Sequence, residues 1–213
     1  MTTLAWALAA VFLACALTDW WAVWTQRASV RHIFKPATLV ALIGVALALD
    51  PFDDAVRAWL VVGLVFGLGG DVFLMLEERF FIAGLGSFLL GHIAYVVALV
   101  LGPTSVAGAV VGLAVVVAGG AVVGRRIVGS VAGGEQRKLA APVAAYLLVI
   151  SLMVVAAFAT GAPWAIGGAL LFYASDAILG WNRFVEPRKL GPISVMVTYH
   201  LGQAGLVAWL VTG

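Results

Sequence analysis

Six ionisable side chains stand inside long apolar runs of this 213-residue chain. Asp71 is the clearest case, in the segment GLGGDVFLML (67–76), and the others are Asp19, Lys35, His92, Asp176 and His200. An acidic residue at the centre of a membrane helix costs roughly 2.5–3.5 kcal/mol, so such a residue usually faces a cavity or a partner and serves a function. Asp71 and Asp176 are therefore the first candidates for chemistry.

The depths of these residues in their helices favour one shared site. At about 1.5 Å per residue, Asp71 lies about 9 Å from Glu77 at its helix end, and Asp176 lies about 10 Å from Arg183. The other four fall in the same half of the membrane or at its middle: Asp19, Lys35, His92 and His200. Six polar groups on six helices in one layer predict a polar cavity. Helical spacing adds three companions one turn away, which are Tyr95, Tyr173 and Gln203.

Most of these residues also have a structural explanation. Lys35 can snorkel to lipid phosphate instead of binding a substrate phosphate. Asp19 can pair with a basic loop residue, and the two histidines can be interhelical hydrogen-bonding groups. The two deep aspartates fit such an explanation least, so the functional hypothesis depends on them.

The composition shows which solvent surrounds the helices that position these residues. The chain is 64% hydrophobic and only 10% charged, whereas soluble domains are about 45–50% apolar and about 25% charged. A net charge of +2 with dispersed basic residues gives no indication of nucleic-acid binding. The single cysteine, Cys15, excludes an intrachain disulfide. We expect an all-α integral membrane protein.

The apolar runs predict eight transmembrane helices packed as one bundle, in a single domain over residues 1–213. The predicted spans are 4–24, 33–49, 56–76, 80–101, 104–124, 139–159, 163–182 and 193–212. Pro36 then falls in the first turn of the second span, where its missing N–H is harmless.

Basic residues set the orientation. Eleven of the twelve Lys and Arg residues fall in the odd-numbered loops or beside them, and Arg57 alone lies on the other side. Because cytoplasmic loops are rich in Lys and Arg, both termini are predicted outside and the polar layer in the cytoplasmic half. We expect a bacterial inner membrane, with Trp20, Trp21 and Trp24 in its interfacial aromatic belt.

A weak internal echo suggests a 4+4 parallel repeat. GGDVFLML followed by GHIAY is loosely mirrored by YASDAILG followed by YHLGQ. Four helices per half preserve the orientation, as in some transporters. A two-fold arrangement would bring Asp71 and Asp176 face to face.

Five motifs together resemble the YhhN-type membrane family, which includes the lysoplasmalogenases. They are FKPATLVAL (34–42), GGDVFLML (69–76), FIAGLGSFLLGHIAY (81–95), YASDAIL (173–179) and YHLGQ (199–203). The resemblance implies an eight-helix bundle that hydrolyses the vinyl ether bond of a lysoplasmalogen. The products would be a fatty aldehyde and a glycerophospho-ethanolamine or -choline.

The resemblance also implies roles for single residues. Asp71 and Asp176 match the family's proposed catalytic pair. Protonation of a vinyl ether leaves an oxocarbenium ion, so one acid would supply the proton and the other a stabilising negative charge. Lys35, helped by Arg31 or His32, would hold the lipid phosphate. The remaining substrate-binding candidates are Asp19, His92, Tyr95, Tyr173, Tyr199, His200 and Gln203.

No cofactor or metal is expected for this mechanism, and the sequence leaves the oligomeric state open. Three other classes remain as alternatives. A metal-dependent intramembrane hydrolase of another lysolipid could use Asp and His ligands. A proton-coupled transporter could use acids at mid-membrane depth. A structural or lipid-binding protein would need neither aspartate for chemistry.

Overall fold

The computed structural model describes residues 2–212, and within that range the chain forms helices and turns with no strand. These described residues form nine α-helices. Their bounds are α1 Thr3–Trp24, α2 Ala28–Ala48, α3 Asp54–Met75, α4 Phe81–Leu101, α5 Val106–Gly119, α6 Arg125–Gly133, α7 Ala140–Thr160, α8 Pro163–Phe184 and α9 Gly191–Trp209. A π-helical turn, Gly120–Gly124, joins α5 to α6 without a break, so the chain has eight long helical segments. The termini Met1 and Gly213 lie outside the described residues.

The eight segments occupy the predicted positions, and seven of them are long and apolar enough to cross a membrane. The chain is therefore a multi-pass helical membrane protein. The segment that falls short in apolarity is α9, which buries Tyr199, His200 and Gln203. Helix α9 contacts α1, α2, α3 and α8. These polar side chains therefore face other helices and not lipid, which lowers the apolarity of α9.

Two predicted boundaries were wrong. The second helix begins at Ala28 instead of residue 33, so Pro36 lies inside it and not in its first turn. Pro36 lacks the N–H that would otherwise bond the carbonyl of His32 one turn earlier. The fifth span does not end at residue 124, because Arg125–Gly133 continues as helix. Gly129 and Gly133, which fall in the predicted gap between the fifth and sixth spans, therefore lie in helix.

Seven helices pack into a closed ring around the core. In order of contact they are α1, α2, α3, α4, α7, α8 and α9, and α9 returns to α1. The fifth segment stands outside this ring and packs mainly on α7. Its exposed valines, among them Val106, Val110 and Val117, face the surroundings. The ring encloses the buried polar residues that the sequence singled out.

The two ends of the bundle differ in charge. At one end an ion pair between Arg183 and Glu78 ties the end of α8 to the turn before α4. The Ser130 hydroxyl donates to the Phe184 carbonyl at 2.5 Å and holds α6 beside the same helix end. At the opposite end Arg57 pairs with Asp54, with Nη2 and Oδ1 2.7 Å apart. Eleven of the twelve basic residues belong to the first end, which we call the basic end.

Two glycines of α3 allow α4 to approach closely. A Cβ atom at Gly63 would collide with the ring of Tyr95, and one at Gly70 would collide with the ring of Phe88. Small residues permit this kind of tight helix contact in membranes. The contact places the aromatic side chains of α4 against α3, next to Asp71.

Candidate active site

Asp71 lies in the interior with a cation and a hydroxyl as its partners. Its side chain is 1% exposed, and Lys35 Nζ lies 2.8 Å from Asp71 Oδ1. The Tyr199 hydroxyl donates to Asp71 Oδ2, also at 2.8 Å. Helices α2, α3 and α9 thus each contribute one group. An ammonium and a phenol donor at this distance each stabilise the charged form of a carboxylate, because both donate to it.

Asp176 has partners of a different kind. The Tyr146 hydroxyl donates to Asp176 Oδ2 at 2.5 Å. His92 Nε2 lies 3.5 Å from the same oxygen. The other nitrogen of His92, Nδ1, is 2.7 Å from the Phe88 carbonyl, which can only accept, so Nδ1 carries a hydrogen. A neutral His92 then presents a lone pair to Asp176, and the two groups attract each other only if a proton lies between them.

Both aspartates line one cavity of about 190 Å³, which we call the inner cavity. Its wall also includes Arg31, Lys35 and Tyr199. Asp71 comes from α3 and Asp176 from α8, which do not follow each other in the ring. The cavity therefore brings together two acids that are 105 positions apart in the sequence.

An aromatic frame fixes these partners. The Phe172 ring lies 4.6 Å from the His92 ring and 5.2 Å from the Tyr199 ring, centroid to centroid. The Tyr95 hydroxyl donates to Gln203 Oε1 at 3.4 Å. All five side chains are buried. Close packing leaves each ring few alternative rotamers, so the carboxyl groups keep defined neighbours.

His200 lies beside Trp20 instead of at the acids. Trp20 Nε1 donates to His200 Nδ1 at 3.0 Å, and the two rings are stacked with centroids 6.2 Å apart. Trp20 is thus partly buried against His200, whereas Trp21 and Trp24 are exposed. His200 is fully buried and does not line the shared cavity.

Neither Lys35 nor Asp19 has the position that a purely structural role would give it, at the lipid surface for Lys35 and paired with a basic loop residue for Asp19. Lys35 is 5% exposed and paired with Asp71, so it neither snorkels to the surface nor stands free for a phosphate. Asp19 is fully buried, and neither of its carboxyl oxygens has a hydrogen-bond partner within residues 2–212. The nearest cations acting on it are Arg31 and Lys35. Asp19 lines none of the cavities described here.

Tyr173 is a further predicted residue that lies away from the acids. It packs beside Gly119 of α5, outside the ring, and makes no side-chain hydrogen bond to the cluster. Tyr146 takes the place expected for it. Tyr146 lies outside the five motifs of the sequence, but it is about 12 Å along α7 from Lys138, in the same layer as the acids. Applying the depth argument to tyrosines would have found it.

The described part of the chain contains no group of three or more His, Cys, Asp or Glu side chains arranged to hold a metal ion. The donors that do converge are two carboxyls, two phenols, one imidazole and one ammonium. This set can donate protons, accept them and stabilise a cation. It fits acid–base chemistry on a neutral, proton-accepting substrate.

Comparison with known proteins places the chain in a family. Over 193 residues it is 31% identical to a protein named lysoplasmalogenase from Mycobacterium bovis, covering 89% of this chain and 73% of the relative. The same values hold for a lysoplasmalogenase of Mycobacterium tuberculosis. The human lysoplasmalogenase TMEM86B is 41% identical over 64 residues, 29% of this chain and 27% of that protein. No solved structure matches significantly. The YhhN family model matches residues 30–210, and the chain belongs to the YhhN family.

Proposed function

We propose that this protein hydrolyses the vinyl ether bond of lysoplasmalogens, releasing a fatty aldehyde and a glycerophospho-ethanolamine or -choline. Relatives that are named lysoplasmalogenase support the reaction class. One observation carries the mechanism: Asp71 and Asp176 line the same cavity, and within residues 2–212 Asp71 pairs with a lysine whereas Asp176 pairs with no Lys or Arg. Identical side chains in different surroundings can divide the roles of acid and anion.

Asp176 is the general acid in this proposal. It transfers its proton to the β-carbon of the vinyl ether, the carbon not bonded to oxygen, and the α-carbon becomes an oxocarbenium centre. Tyr146 and His92 hold the carboxyl in position, since both contact its Oδ2 atom. After the transfer the Tyr146 hydroxyl stabilises the new carboxylate by donating to it.

Asp71 supplies the opposing charge. Its carboxylate, anchored by Lys35 and Tyr199, faces the cavity in which the oxocarbenium ion forms. A fixed negative charge stabilises a developing cation strongly where water is largely excluded. Because its partners are already in place, the site needs no rearrangement when the charge appears.

Water completes the reaction. A water molecule adds to the α-carbon and gives one proton to the Asp176 carboxylate, which restores the acid. The hemiacetal then loses its hydroxyl proton, its bond to the glycerol oxygen breaks, and that oxygen takes up a proton. The net change is one vinyl ether and one water converted to one aldehyde and one alcohol. Tyr95, Gln203 and His200 are assigned to supporting the rings that line the site.

We propose further that the basic end faces the cytoplasm of a bacterial inner membrane, with both termini outside and the whole chain forming one domain. The distribution of Lys and Arg supports this orientation. The cavity then opens in the cytoplasmic half of the membrane. The repeated packing of the third helix on the fourth, and of the seventh span on the eighth, is consistent with a 4+4 parallel repeat.

Incubation of the purified protein with an alkenyl, an acyl and a saturated alkyl lysophospholipid in D₂O tests the reaction and its proton-transfer step. We expect release of aldehyde from the alkenyl lipid alone. Trapped at once by reduction, the aldehyde should carry one deuterium on the carbon next to the carbonyl. Release of fatty acid instead, or of aldehyde without deuterium at that carbon, would exclude the mechanism.

A further inference from the structure

A second and larger cavity of about 550 Å³ opens at the basic end, outside the cavity that holds the acids. It lies between the end of α1, the start of α2, the end of α3 and the start of α9. We call it the vestibule. Its polar lining consists largely of basic side chains, namely Arg27, Arg31, His32 and Lys189, with Trp24 and Gln26 beside them.

Within residues 2–212, none of the Arg and Lys side chains of the vestibule forms an ion pair with a carboxylate. No Asp or Glu lines this cavity. Across residues 2–212, Arg57, Arg79 and Arg183 each form an ion pair with a carboxylate, whereas Arg27 and Lys189 do not. Uncompensated positive charges around one concave surface attract and concentrate an anion.

Arg31 is the vestibule cation whose hydrogen-bonding capacity is least satisfied. It is partly buried, its Nε atom is buried without a hydrogen-bond partner, and its Nη2 atom donates only to the Met196 sulfur at 3.6 Å. A guanidinium presents five N–H groups in a fork that matches the oxygens of a phosphate. A buried donor left without an acceptor costs free energy, so Arg31 is poised for an oxyanion.

The vestibule leads to the acids and then to an apolar groove. Arg31 and Leu74 line both the vestibule and the inner cavity. Asp176 and Phe81 line both the inner cavity and a third, mostly apolar cavity between α4, α7 and α8. The order is therefore basic, acidic and apolar. A lysophospholipid has the same order of parts: phosphate, linkage at the glycerol, and hydrocarbon chain.

We propose that the vestibule binds the phosphate ester of the substrate through Arg31, with Arg27 and Lys189 adding charge. This proposal rests on the proposed function, because it takes the lipid as the ligand. It also replaces the expectation that Lys35 is the phosphate ligand, since Lys35 is committed to Asp71. Arg31, one turn before Lys35 on α2, takes that role.

Binding of three probes tests the proposal. They are a saturated 1-alkyl lysophosphocholine, which lacks the vinyl ether; the alkylglycerol with the same chain, which lacks the phosphate; and glycerophosphocholine, which lacks the chain. Trp24 in the vestibule wall offers a fluorescence signal, with equilibrium dialysis as a second readout. The variants are Arg31→Gln and Lys189→Gln. Arg126→Gln is the matched control, because Arg126 is an exposed basic residue of α6 that lines no cavity described here.

Loss of one charge-assisted contact should raise the Kd of the alkyl lysophospholipid about tenfold or more in Arg31→Gln and by a smaller factor in Lys189→Gln. The Arg126→Gln protein should stay within about twofold of wild type, as expected for a solvated charge. Alkylglycerol binding should be the same in all four proteins. If glycerophosphocholine shows the same dependence on Arg31, the vestibule also holds the water-soluble phosphate product.

Equal weakening by Arg31→Gln and Arg126→Gln, or an equal loss of alkylglycerol binding, would overturn the proposal. A shared defect in folding would lower binding of all three probes together, so the ratio of lysophospholipid to alkylglycerol affinity is the deciding quantity. The outcome is independent of catalysis. If the alkenyl lipid binds with this pattern but yields no aldehyde, the proposed reaction fails and the phosphate site stands.

Discussion

The two halves of the inner cavity contain the same reactive group in opposite surroundings. On the side of α2, α3 and α9, Asp71 has an ammonium at 2.8 Å and a phenol at 2.8 Å. On the side of α4, α7 and α8, Asp176 has a phenol at 2.5 Å and an imidazole nitrogen at 3.5 Å. One carboxyl meets the amino group of a lysine, and the other meets a phenol and an imidazole.

This difference shows how one cavity can hold an acid and an anion together. Two ionised carboxylates facing each other in a dry site repel, so at most one is expected to carry a full charge. In the proposed mechanism Lys35 determines which one, because it pairs with Asp71 and not with Asp176. The sequence shows two aspartates at similar depths, but only the third partner, from a different helix, makes them unequal.

Removal of the acid should produce the largest effect. Asp176→Asn keeps the shape of the side chain and removes its proton donor, so kcat for aldehyde release should fall about 10²–10⁴-fold. Asp71→Asn should lower kcat by a similar factor through loss of the stabilising charge. The control is Asp50→Asn, an exposed acid at the opposite end of the bundle. Near-normal turnover by either purified cavity variant would dissolve the proposed division of roles.

Breaking the buried ion pair should reduce stability more than removing it whole. Lys35→Met leaves the Asp71 carboxylate uncompensated, and such changes cost about 3–5 kcal/mol. The double variant Lys35→Met/Asp71→Asn should regain a large part of that loss, because no charge is left unpaired. Unfolding of wild type, Lys35→Met, Asp71→Asn and the double variant in one detergent, followed by circular dichroism, measures the coupling. Additive losses would mean that the pair is not charged.

The phenols test the two sides separately. Tyr146→Phe removes the donor to Asp176, and Tyr199→Phe removes the donor to Asp71. A hydrogen bond to a charged group contributes about 1.5–3 kcal/mol, so each change should lower kcat about 10–100-fold with little change in KM. Tyr173→Phe is the internal control, since Tyr173 packs against α5. A loss of activity in Tyr173→Phe equal to that in Tyr146→Phe would contradict the assignment.

Asp19 should matter least among the buried acids. It lies outside the shared cavity and has no hydrogen-bond partner within the described chain. Asp19→Asn should change kcat by less than about threefold, as expected for a residue that does not touch the reacting atoms. Steady-state assays beside wild type measure it. A loss comparable to that of Asp71→Asn would add a third acid to the mechanism.

The sequence predicts most of the fold because lipid imposes simple rules on it. Apolar runs of about 20 residues and flanking charges locate the eight helices. The prediction was wrong in the gap between the fifth and sixth predicted spans. This gap contains several glycines, yet helix α6 continues through it to Gly133. In a helix packed on others, glycine is tolerated and can serve close contact instead of ending the element.

The site was predictable in depth but not in direction. Depth places Asp71, Asp176 and His92 in one layer, and the structure places both acids in the wall of one cavity and His92 beside Asp176. Direction separates Phe172 from Tyr173, which precede Asp176 by four and three residues. Both positions neighbour Asp176 on a helix, and only the packing of the bundle turns Phe172 toward His92 of α4 and Tyr173 toward Gly119 of α5. The ion pair between Lys35 and Asp71 could not be predicted either, because it also depends on the direction in which the side chains point.

The protonation states of the two acids test the division of roles most directly. Infrared difference spectroscopy of the purified protein resolves the C=O stretch of a protonated carboxyl group, which a carboxylate lacks. We expect wild type to show such a band, Asp71→Asn to retain it and Asp176→Asn to lose it. A band that disappears in Asp71→Asn and persists in Asp176→Asn would reverse the roles and contradict the proposed mechanism.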